Sequence, residues 1–265
     1  MDFCSIASGS SGNCIFVGTE QTGVLIDAGI TGKKVVDGLN QIDRKPEELD
    51  AILITHEHSD HIRGLGVLAR KYGLPVYCTP GTKKAMLSGT SLGNVDESLF
   101  HEITPDEHFF IRDLDVLPFR VSHDAAEPVA YRVSHGEKSV AVATDLGYYD
   151  DYVIDHLQKL DAVLLESNHD IHMLQVGHYP YYLKQRILGL KGHLSNDSAG
   201  RLLGEILHDG MKSILLGHLS QENNLEDLAL MTVSAEVTMG DNPFQGNDFP
   251  IHIAKRDHPS QMIAV

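Results

Sequence analysis

The sequence predicts an α/β protein in which two mixed β-sheets pack face to face and helices cover their outer sides. Short apolar runs rich in β-branched residues occur in two separate stretches, and helical periodicities follow each of them. No Pro- or Ser-rich linker divides the chain, so residues 1–265 are expected to form one domain. With 42% hydrophobic residues, a chain of this length can bury the necessary core.

The predicted elements follow from these patterns in chain order. The first strands are predicted at 3–6, 14–17, 24–26 and 51–55, with Gly, Ser and Thr between them. Helical patterns follow at 31–40, 62–72 and 80–88, before a strand-rich stretch from 99 to 143. Later strands are predicted at 161–167, 213–217, 250–254 and 262–265, and helices at 180–189, 196–208 and 225–238.

Composition limits the classes of function. The formal charge of -16 and pI of about 5.3 argue against a broad basic face that clamps duplex phosphates, although bound cations would reverse the local field. The start of the chain lacks a basic segment followed by an apolar one, and no run is long enough to span a membrane. We expect a cytoplasmic protein with no membrane partner, in which Cys4, Cys14 and Cys78 are reduced and buried.

A dense group of histidines and acids directly follows the predicted strand "ILIT". His56, His58, Asp60 and His61 have H-x-H-x-D-H spacing, so a tight loop can turn His56 and His58 toward one ion and the other two toward a second. Imidazole and carboxylate ligands at this density suit zinc, and manganese or iron is also compatible. The alternative is a solvated histidine-rich loop.

Further His and Asp residues also end apolar runs. His123 follows "FRVS", Asp145 follows "VAVAT" and His218 follows "SILLG". Together with His56, these residues place potential ligands at four strand ends, which can meet along one edge of a sheet pair. The recurrence predicts one shared metal site more specifically than any single motif does.

These motifs resemble those of the metallo-β-lactamase fold, an αββα four-layer sandwich, and within it the YycJ, WalJ and VicX group of exonucleases. The resemblance covers almost the whole chain. The superfamily motifs are Asp27 in "LIDAG", "THEHSDH" at 55–61, His123, Asp145 and His218. The group motifs are "SGSSGN" at 8–13, "SHDAAEP" at 122–128, "ATDLGY" at 143–148, "ESNHD" at 166–170, "KGHLSN" at 191–196 and "GHLSQEN" at 217–223. Ser167 stands where alanine is expected.

The resemblance implies two divalent metal ions. It implies that His56, His58 and His123 hold the first ion and that Asp60, His61 and His218 hold the second. Asp145 would bridge the ions, and Asp27 would orient the histidine loop without binding metal, unless it is only a turn residue at a strand end. Diiron oxidoreductases of this superfamily resemble H-x-E-x-D-H, with Glu at the second position of the motif. Because this chain has His58 there, the resemblance favours hydrolysis by a metal-bridging hydroxide over oxygen chemistry.

The sequence "GHLS" occurs twice, and we assign its two histidines different roles, one as a metal ligand and the other as a substrate contact. His218 follows a strand, as His56 does, whereas His193 precedes a helical pattern, so we take His218 as the ligand. His193, Ser195 and Asn196 would then lie at a helix N-terminus that favours a phosphate, although Ser195 can equally be a plain N-cap. Asp60 and His193 are the catalytic candidates. A structural role is the alternative for His193.

Other phosphate contacts are predicted more weakly. Ser10, Ser11 and Asn13, in a loop with Gly9 and Gly12, can bring backbone amides close to an anion, but such loops often only turn the chain. His169 and Asp170 either line the same cleft or begin a helix. The cations Lys184, Arg186, Lys191 and Arg201 can guide a strand or form a solvated helix face.

Three functions are weighed against each other. The resemblance favours a metal-dependent phosphodiesterase whose partner is a nucleic acid with a free end, a 5′-to-3′ exonuclease on single-stranded DNA. The second hypothesis is hydrolysis of a small ester, thioester, lactam or cyclic phosphodiester, since one fold hosts many reactions. The third is a metal-binding regulatory or scaffold protein without turnover, which retention of all seven ligands disfavours.

Overall fold

Two seven-stranded β-sheets form the centre of the protein, in agreement with the predicted fold class. The computed structural model describes residues 1–265. The strands are β1 (Asp2–Ala7), β2 (Cys14–Gly18), β3 (Gly23–Ile26), β4 (Ala51–Leu53), β5 (Val76–Cys78), β6 (Phe100–Glu102), β7 (Phe109–Ile111), β8 (Leu114–Arg120), β9 (Val129–His135), β10 (Lys138–Ala143), β11 (Ala162–Glu166), β12 (Ser213–Gly217), β13 (Ile251–Ile253) and β14 (Ile263–Ala264). The helices are α1 (Gly32–Gln41), α2 (Ser59–Ile62), α3 (Leu65–Tyr72), α4 (Pro80–Ser88), α5 (Asp151–Leu157), α6 (Ile171–Val176), α7 (Tyr181–Leu188), α8 (Asn196–Ile206) and α9 (Glu226–Met239).

Each sheet has an antiparallel half and a parallel half. The first sheet has the order β14-β1-β2-β3-β4-β5-β6, and its strands from β3 to β6 are parallel. The second has the order β13-β12-β11-β10-β9-β8-β7, and its strands from β10 to β13 are parallel. Parallel strands point the same way, so their carboxyl ends emerge at one edge of each sheet. Loops at that edge are the usual place for a ligand site in a parallel sheet.

Alternating side chains on the strands divide the interior into three apolar layers. On β11, Leu164 packs between the two sheets, whereas Val163 and Leu165 pack against the outer helices. On β3, Ile26 faces the other sheet and Leu25 faces the helices that cover the first sheet. Because side chains on a strand point to opposite faces in turn, apolar runs of this kind belong to sheets that are covered on both sides. The result is a four-layer sandwich.

Some elements depart from the predicted boundaries. The helix predicted at 62–72 begins at Leu65 as α3, and the single turn α2 precedes it; between them, Gly64 lies so close to Ile30 that a Cβ would come within 2.4 Å of the Ile30 carbonyl oxygen. The short strand β5 and the helix α5 have no separate counterpart among the predicted elements. None of the helices combines the length and the apolar character that crossing a membrane requires.

Candidate metal centre

The four strand ends predicted to carry ligands meet at one edge of the sandwich. His56 comes three residues after β4, His123 three after β8, Asp145 two after β10, and His218 directly after β12. All four side chains lie inside the protein, with at most 4% of each residue exposed. The sequence therefore predicted correctly that residues from distant parts of the chain converge.

The local fold of the histidine loop explains how its four polar side chains are presented. His58 is the N-cap of the single turn α2, which carries Asp60 and His61. Asn13 donates its backbone N–H to the Asp60 carbonyl at 2.8 Å. The turn packs so closely on Gly29 that a Cβ there would lie 1.6 Å from the Asp60 carbonyl oxygen. Only glycine allows this approach, which fixes the height of the loop above the sheet.

Three imidazoles form the first group of donors. His56 Nε2 lies 3.1 Å from His58 Nδ1, and His123 Nε2 lies 3.3 Å from the same His58 atom. Nitrogen ligands of one tetrahedral zinc ion, each 2.0–2.1 Å from the metal, are separated by about 3.4 Å. Two of the three separations are therefore close to the value for a single ion, and all three nitrogens lie within 4.8 Å of one another.

The second group consists of Asp60, His61 and His218. Asp60 Oδ2 lies 3.4 Å from His218 Nε2 and 3.6 Å from His61 Nε2. Each predicted set of ligands thus corresponds to one group of donor atoms that lie within 4.8 Å of one another.

Asp145 faces both groups. Its Oδ1 lies 3.5 Å from His123 Nε2, and its Oδ2 lies 3.1 Å from His61 Nε2. Oδ2 is buried and has no hydrogen-bond partner. A buried carboxylate oxygen without a donor is costly unless a cation satisfies it. The orphaned oxygen and the surrounding nitrogen and oxygen donors therefore fit a bound divalent metal ion.

The ligand rings are held by partners behind them. Asp27 Oδ2 lies 2.7 Å from His61 Nδ1, and the Asp27 carboxylate also accepts hydrogen bonds from the Thr55 N–H at 2.9 Å and the Thr55 hydroxyl at 2.8 Å. The Gly192 carbonyl accepts from His123 Nδ1 at 3.1 Å. Such contacts fix which ring nitrogen remains free for metal. The geometry is the one expected if Asp27 orients the loop without binding an ion.

Glu166, the last residue of β11, is a site residue that sequence reasoning did not single out. It is fully buried, and its Oε1 accepts hydrogen bonds from His193 Nδ1 and His218 Nδ1, each at 2.8 Å. Its Oε2 accepts from the backbone N–H groups of Leu146 at 2.7 Å and Leu194 at 3.2 Å. One carboxylate therefore aligns both "GHLS" histidines. Glu166 is the first residue of the motif "ESNHD", but its spacing from the other candidate residues does not indicate this role.

The charges in the centre are strongly coupled. Burial raises the pKa of Glu166, but the interaction with His193 and the hydrogen bonds from His193 and His218 outweigh burial and lower the pKa to about 2. Burial lowers the pKa of His218, but Asp145, Asp60 and Glu166 together raise it to about 10. In the protein without metal, protons thus occupy sites that cations would take. Metal binding is therefore expected to release protons.

His193 is partly exposed at the edge of the centre, as are the candidate ligands His58 and Asp60. Its ring centre is 5.1 Å from that of His123 and 5.2 Å from that of His218, and its side chain is 18% exposed. Because Nδ1 donates to Glu166, Nε2 is free for contact with a substrate. The arrangement is consistent with the separation of a ligand His218 from a substrate-facing His193.

The other residues predicted at the helix N-terminus have structural partners. The Ser195 hydroxyl accepts a hydrogen bond from the Ser198 N–H at 3.2 Å, so the N-cap alternative is confirmed. The Asn196 side chain is fully buried and bonded to Ser167 and Asn224. Its amide is therefore occupied, and the phosphate contact expected from it is not available in this conformation.

The Gly- and Ser-rich loop lies beside the second group of donors. Asn13 Oδ1 accepts from the Gly9 N–H at 3.0 Å and the Ser8 hydroxyl at 3.2 Å, and its Nδ2 lies 3.2 Å from His61 Nε2. Asn13 is thus buried and braces the loop against the histidine loop. Ser10 and Ser11 are exposed, and they remain the loop residues open to a phosphate.

Some of the more weakly predicted substrate contacts are bonded to protein groups, and others are not. Asp170 caps α6 by accepting from the Met173 N–H at 2.7 Å, and His169 is buried with neither ring nitrogen hydrogen-bonded. Three of the four cations are engaged with protein groups. Lys184 donates to two carbonyls, Arg186 pairs with Asp124 and Arg201 pairs with Glu236. Three of the four cations are thus held by protein groups and are less available to a strand than the sequence suggested.

Comparisons with known proteins agree with this fold and donor set. The model of the beta-lactamase superfamily domain matches residues 22–205. Exodeoxyribonuclease WalJ of Streptococcus pneumoniae serotype 2 is 44% identical over 252 residues, which cover 95% of this chain and 93% of WalJ. Exodeoxyribonuclease YycJ of Bacillus anthracis is 41% identical over 242 residues, which cover 88% of each protein.

Solved structures extend the agreement in fold. The crystal structure of the metallo-β-lactamase fold protein YhfI from Bacillus subtilis matches with a TM-score of 0.72 at 19% identity, covering 98% of each chain. The fold and the donor set together define a metal-binding hydrolase of the metallo-β-lactamase class. Within that superfamily, the chain belongs to the family that contains WalJ and YycJ.

Proposed function

We propose that the protein is a metal-dependent exodeoxyribonuclease that removes nucleotides from the 5′ end of single-stranded DNA in the cytoplasm. The observation that carries the proposal is the division of six donors into two groups of three with Asp145 beside a histidine of each, in a chain 44% identical to a relative named an exodeoxyribonuclease. Two zinc or manganese ions suit these donors, and iron is also compatible. The direction comes from the resemblance of the motifs. The three buried free cysteines fit a reducing compartment.

The residues have distinct roles in this proposal. When bound, the ions would stabilise charge on a phosphoryl oxygen and lower the pKa of a water molecule. Asp60 remains a carboxylate, because neighbouring His61 and His218 lower its pKa to about 2 although burial opposes them. His193, oriented by Glu166, directs Nε2 outward and can give a proton to the leaving oxygen. Exposed Ser10 and Ser11 would contact the phosphate.

The test combines metal analysis with digestion of labelled strands. Purified protein is analysed for bound metal and then incubated with single-stranded DNA labelled at either end, duplex DNA, RNA, bis-p-nitrophenyl phosphate and nitrocefin. We expect stepwise loss of a 5′ label from single-stranded DNA and inhibition by a chelator. Asp145→Ala should remove activity and lower the metal content, because it removes the shared ligand. Asp241→Ala, on an exposed loop, is the matched control.

The same assays separate the alternatives. Turnover of nitrocefin or of small esters without attack on DNA would favour a small-molecule hydrolase. Metal-loaded protein that cleaves no substrate in the panel would contradict the proposed activity and favour a regulatory role.

A further inference from the structure

The segment between Glu166 and His193 carries an unusual concentration of exposed apolar side chains. The helix α7 has no buried residue, although it runs close to the metal centre. Five of the eleven exposed large apolar side chains of the protein lie in or beside it: Val176, Tyr181, Tyr182, Leu188 and Leu190. The two tyrosines are the most exposed of them, at 76% and 75%. Nothing in the fold uses these rings.

The C-terminal end of α7 is attached to the candidate site. Arg186 pairs with Asp124, the neighbour of the metal ligand His123. The Ile187 carbonyl accepts from the His193 N–H at 3.0 Å. These two contacts hold the last turn of α7 beside the loops that carry His123 and His193. Tyr181 and Tyr182 lie at the other end of the helix.

The length of α7 sets the distance to the tyrosines. Tyr181 and Tyr182 precede Ile187 by six and five residues, which corresponds to about 7–9 Å along a helix axis. Successive phosphates of a stacked strand are about 3.4 Å apart along its axis. Because the last turn of α7 itself lies beside the centre and not in it, a strand with its end in the metal centre would reach the tyrosines a few nucleotides from that end.

Charge indicates what such a strand would bind. The protein carries a net charge of -16, and the cations of this segment are largely occupied by protein groups. Lys184 donates to the Gln175 and Gly177 carbonyls, each at 2.7 Å, and Arg186 pairs with Asp124. Lys191 has no ion pair. This segment therefore offers little free positive charge for binding phosphates. Stacking on aromatic rings is the other common source of affinity for single strands, and it does not depend on sequence.

We propose that Tyr181 and Tyr182 form a base-stacking surface for the single strand whose end is processed at the metal centre. The inference rests on the proposed nuclease function and adds a binding surface to it. The occupant is nucleic acid rather than a second copy of the protein, because the surface is continuous with the site that must hold the strand. Neighbouring residues on a helix point about 100° apart, so each ring is tested alone.

The test compares substrates with and without bases. Tyr181→Ala and Tyr182→Ala are compared with Tyr181→Phe and Tyr182→Phe, which keep the ring. Phe110→Ala removes an exposed ring from β7, at the far edge of the second sheet, and is the control. Substrates are a 5′-labelled oligonucleotide, the same strand with abasic second to fifth positions, and bis-p-nitrophenyl phosphate.

We expect at least one Ala variant to raise KM for the oligonucleotide by about 10-fold or more. The Phe variants and Phe110→Ala should retain the wild-type value, and turnover of bis-p-nitrophenyl phosphate should not change. Removing the bases should weaken binding to the wild type but have little further effect on the sensitive Ala variant. That non-additivity distinguishes stacking from a general structural effect.

Other results would overturn the inference. If the wild type degrades single strands and every Ala variant keeps its KM, the surface does not bind bases, while the proposed function stands. If the wild type neither binds nor degrades single strands, both fail. If sedimentation shows a dimer that an Ala variant converts to a monomer with unchanged KM, the surface is a contact between copies.

Discussion

Replacing Glu166 by glutamine tests the arrangement of the centre most directly. The carboxylate accepts four hydrogen bonds in a fully buried position, two from imidazole Nδ1 atoms and two from backbone N–H groups. Glutamine has nearly the same shape, but its NH2 group donates where one carboxylate oxygen accepted. In either orientation of the amide, its NH2 group faces donors: the two backbone N–H groups in one orientation, and the two imidazole N–H groups in the other.

The size of the effect depends on the direction of the amide. If the NH2 group faces Leu146 and Leu194, two buried N–H groups lose their acceptor, at about 1–3 kcal/mol each, and the free energy of unfolding falls by about 2–6 kcal/mol. If it faces the histidines, His218 must move its proton to Nε2, the atom beside Asp60. Disturbing a ligand's supporting partner in this way lowers metal affinity by about 10- to 100-fold.

Chemical denaturation and metal titration of Glu166→Gln measure both outcomes. Glu137→Gln, in the exposed turn between β9 and β10, is the matched control and should behave as the wild type. We expect the buried variant to lose either unfolding free energy or metal affinity. A Glu166→Gln protein that keeps both would refute the reasoning, since no orientation of the amide satisfies all four donors.

Two further predictions use other parts of the structure. His218→Ala should lose one bound ion, whereas His193→Ala should keep its metal content and lose turnover, as metal analysis and kinetics would show; the opposite pattern would reverse the roles of the two "GHLS" histidines. Asp161 accepts hydrogen bonds from Lys138 Nζ at 2.7 Å and the Ser139 N–H at 3.0 Å, which lower its pKa although burial opposes them. A carboxyl whose pKa is depressed by folding stabilises the protein above its unfolded pKa and loses that effect as the pH falls through the folded one. Asp161→Asn should therefore destabilise by about 1 kcal/mol at pH 7, because Lys138 is partly solvated, and by progressively less as the pH falls below the ordinary aspartate pKa of about 3.9. A difference independent of pH would contradict this ion-pair argument.

The strand ends show why so much of the site could be predicted from sequence. His56, His123, Asp145 and His218 each follow a run rich in apolar residues that the sequence marks as a strand. Such a run fixes both the strand and the direction in which its last residue emerges. The strand ends thus predicted that these four residues can meet at one edge, whereas the order of the strands within each sheet was not predicted. The substrate contacts were less predictable, because Asn196 and Ser195 are committed to partners distant in sequence or to local caps.

Glu166 shows where that reasoning stopped and how it can be extended. β11 lies between β10 and β12 and runs parallel to both. Asp145 and His218 follow those two neighbours, so the last residue of β11 must emerge between them. The sequence contained this information only once the strand order was known. A single strand-end glutamate has no spacing signature of its own.

The backbone conformation of three site residues could not be read from propensity at all. Asp27, Asp145 and His218 have φ angles of 61°, 60° and 54°, in the left-handed region that glycine normally occupies. For residues with a Cβ, this conformation costs about 1–2 kcal/mol each. Glycine would remove that cost, but it would also remove the carboxylate or imidazole that the turn directs into the centre. At these three positions the strained turn directs a polar side chain into the centre, and the buried hydrogen bonds of Asp27 and His218 help to hold their turns in place.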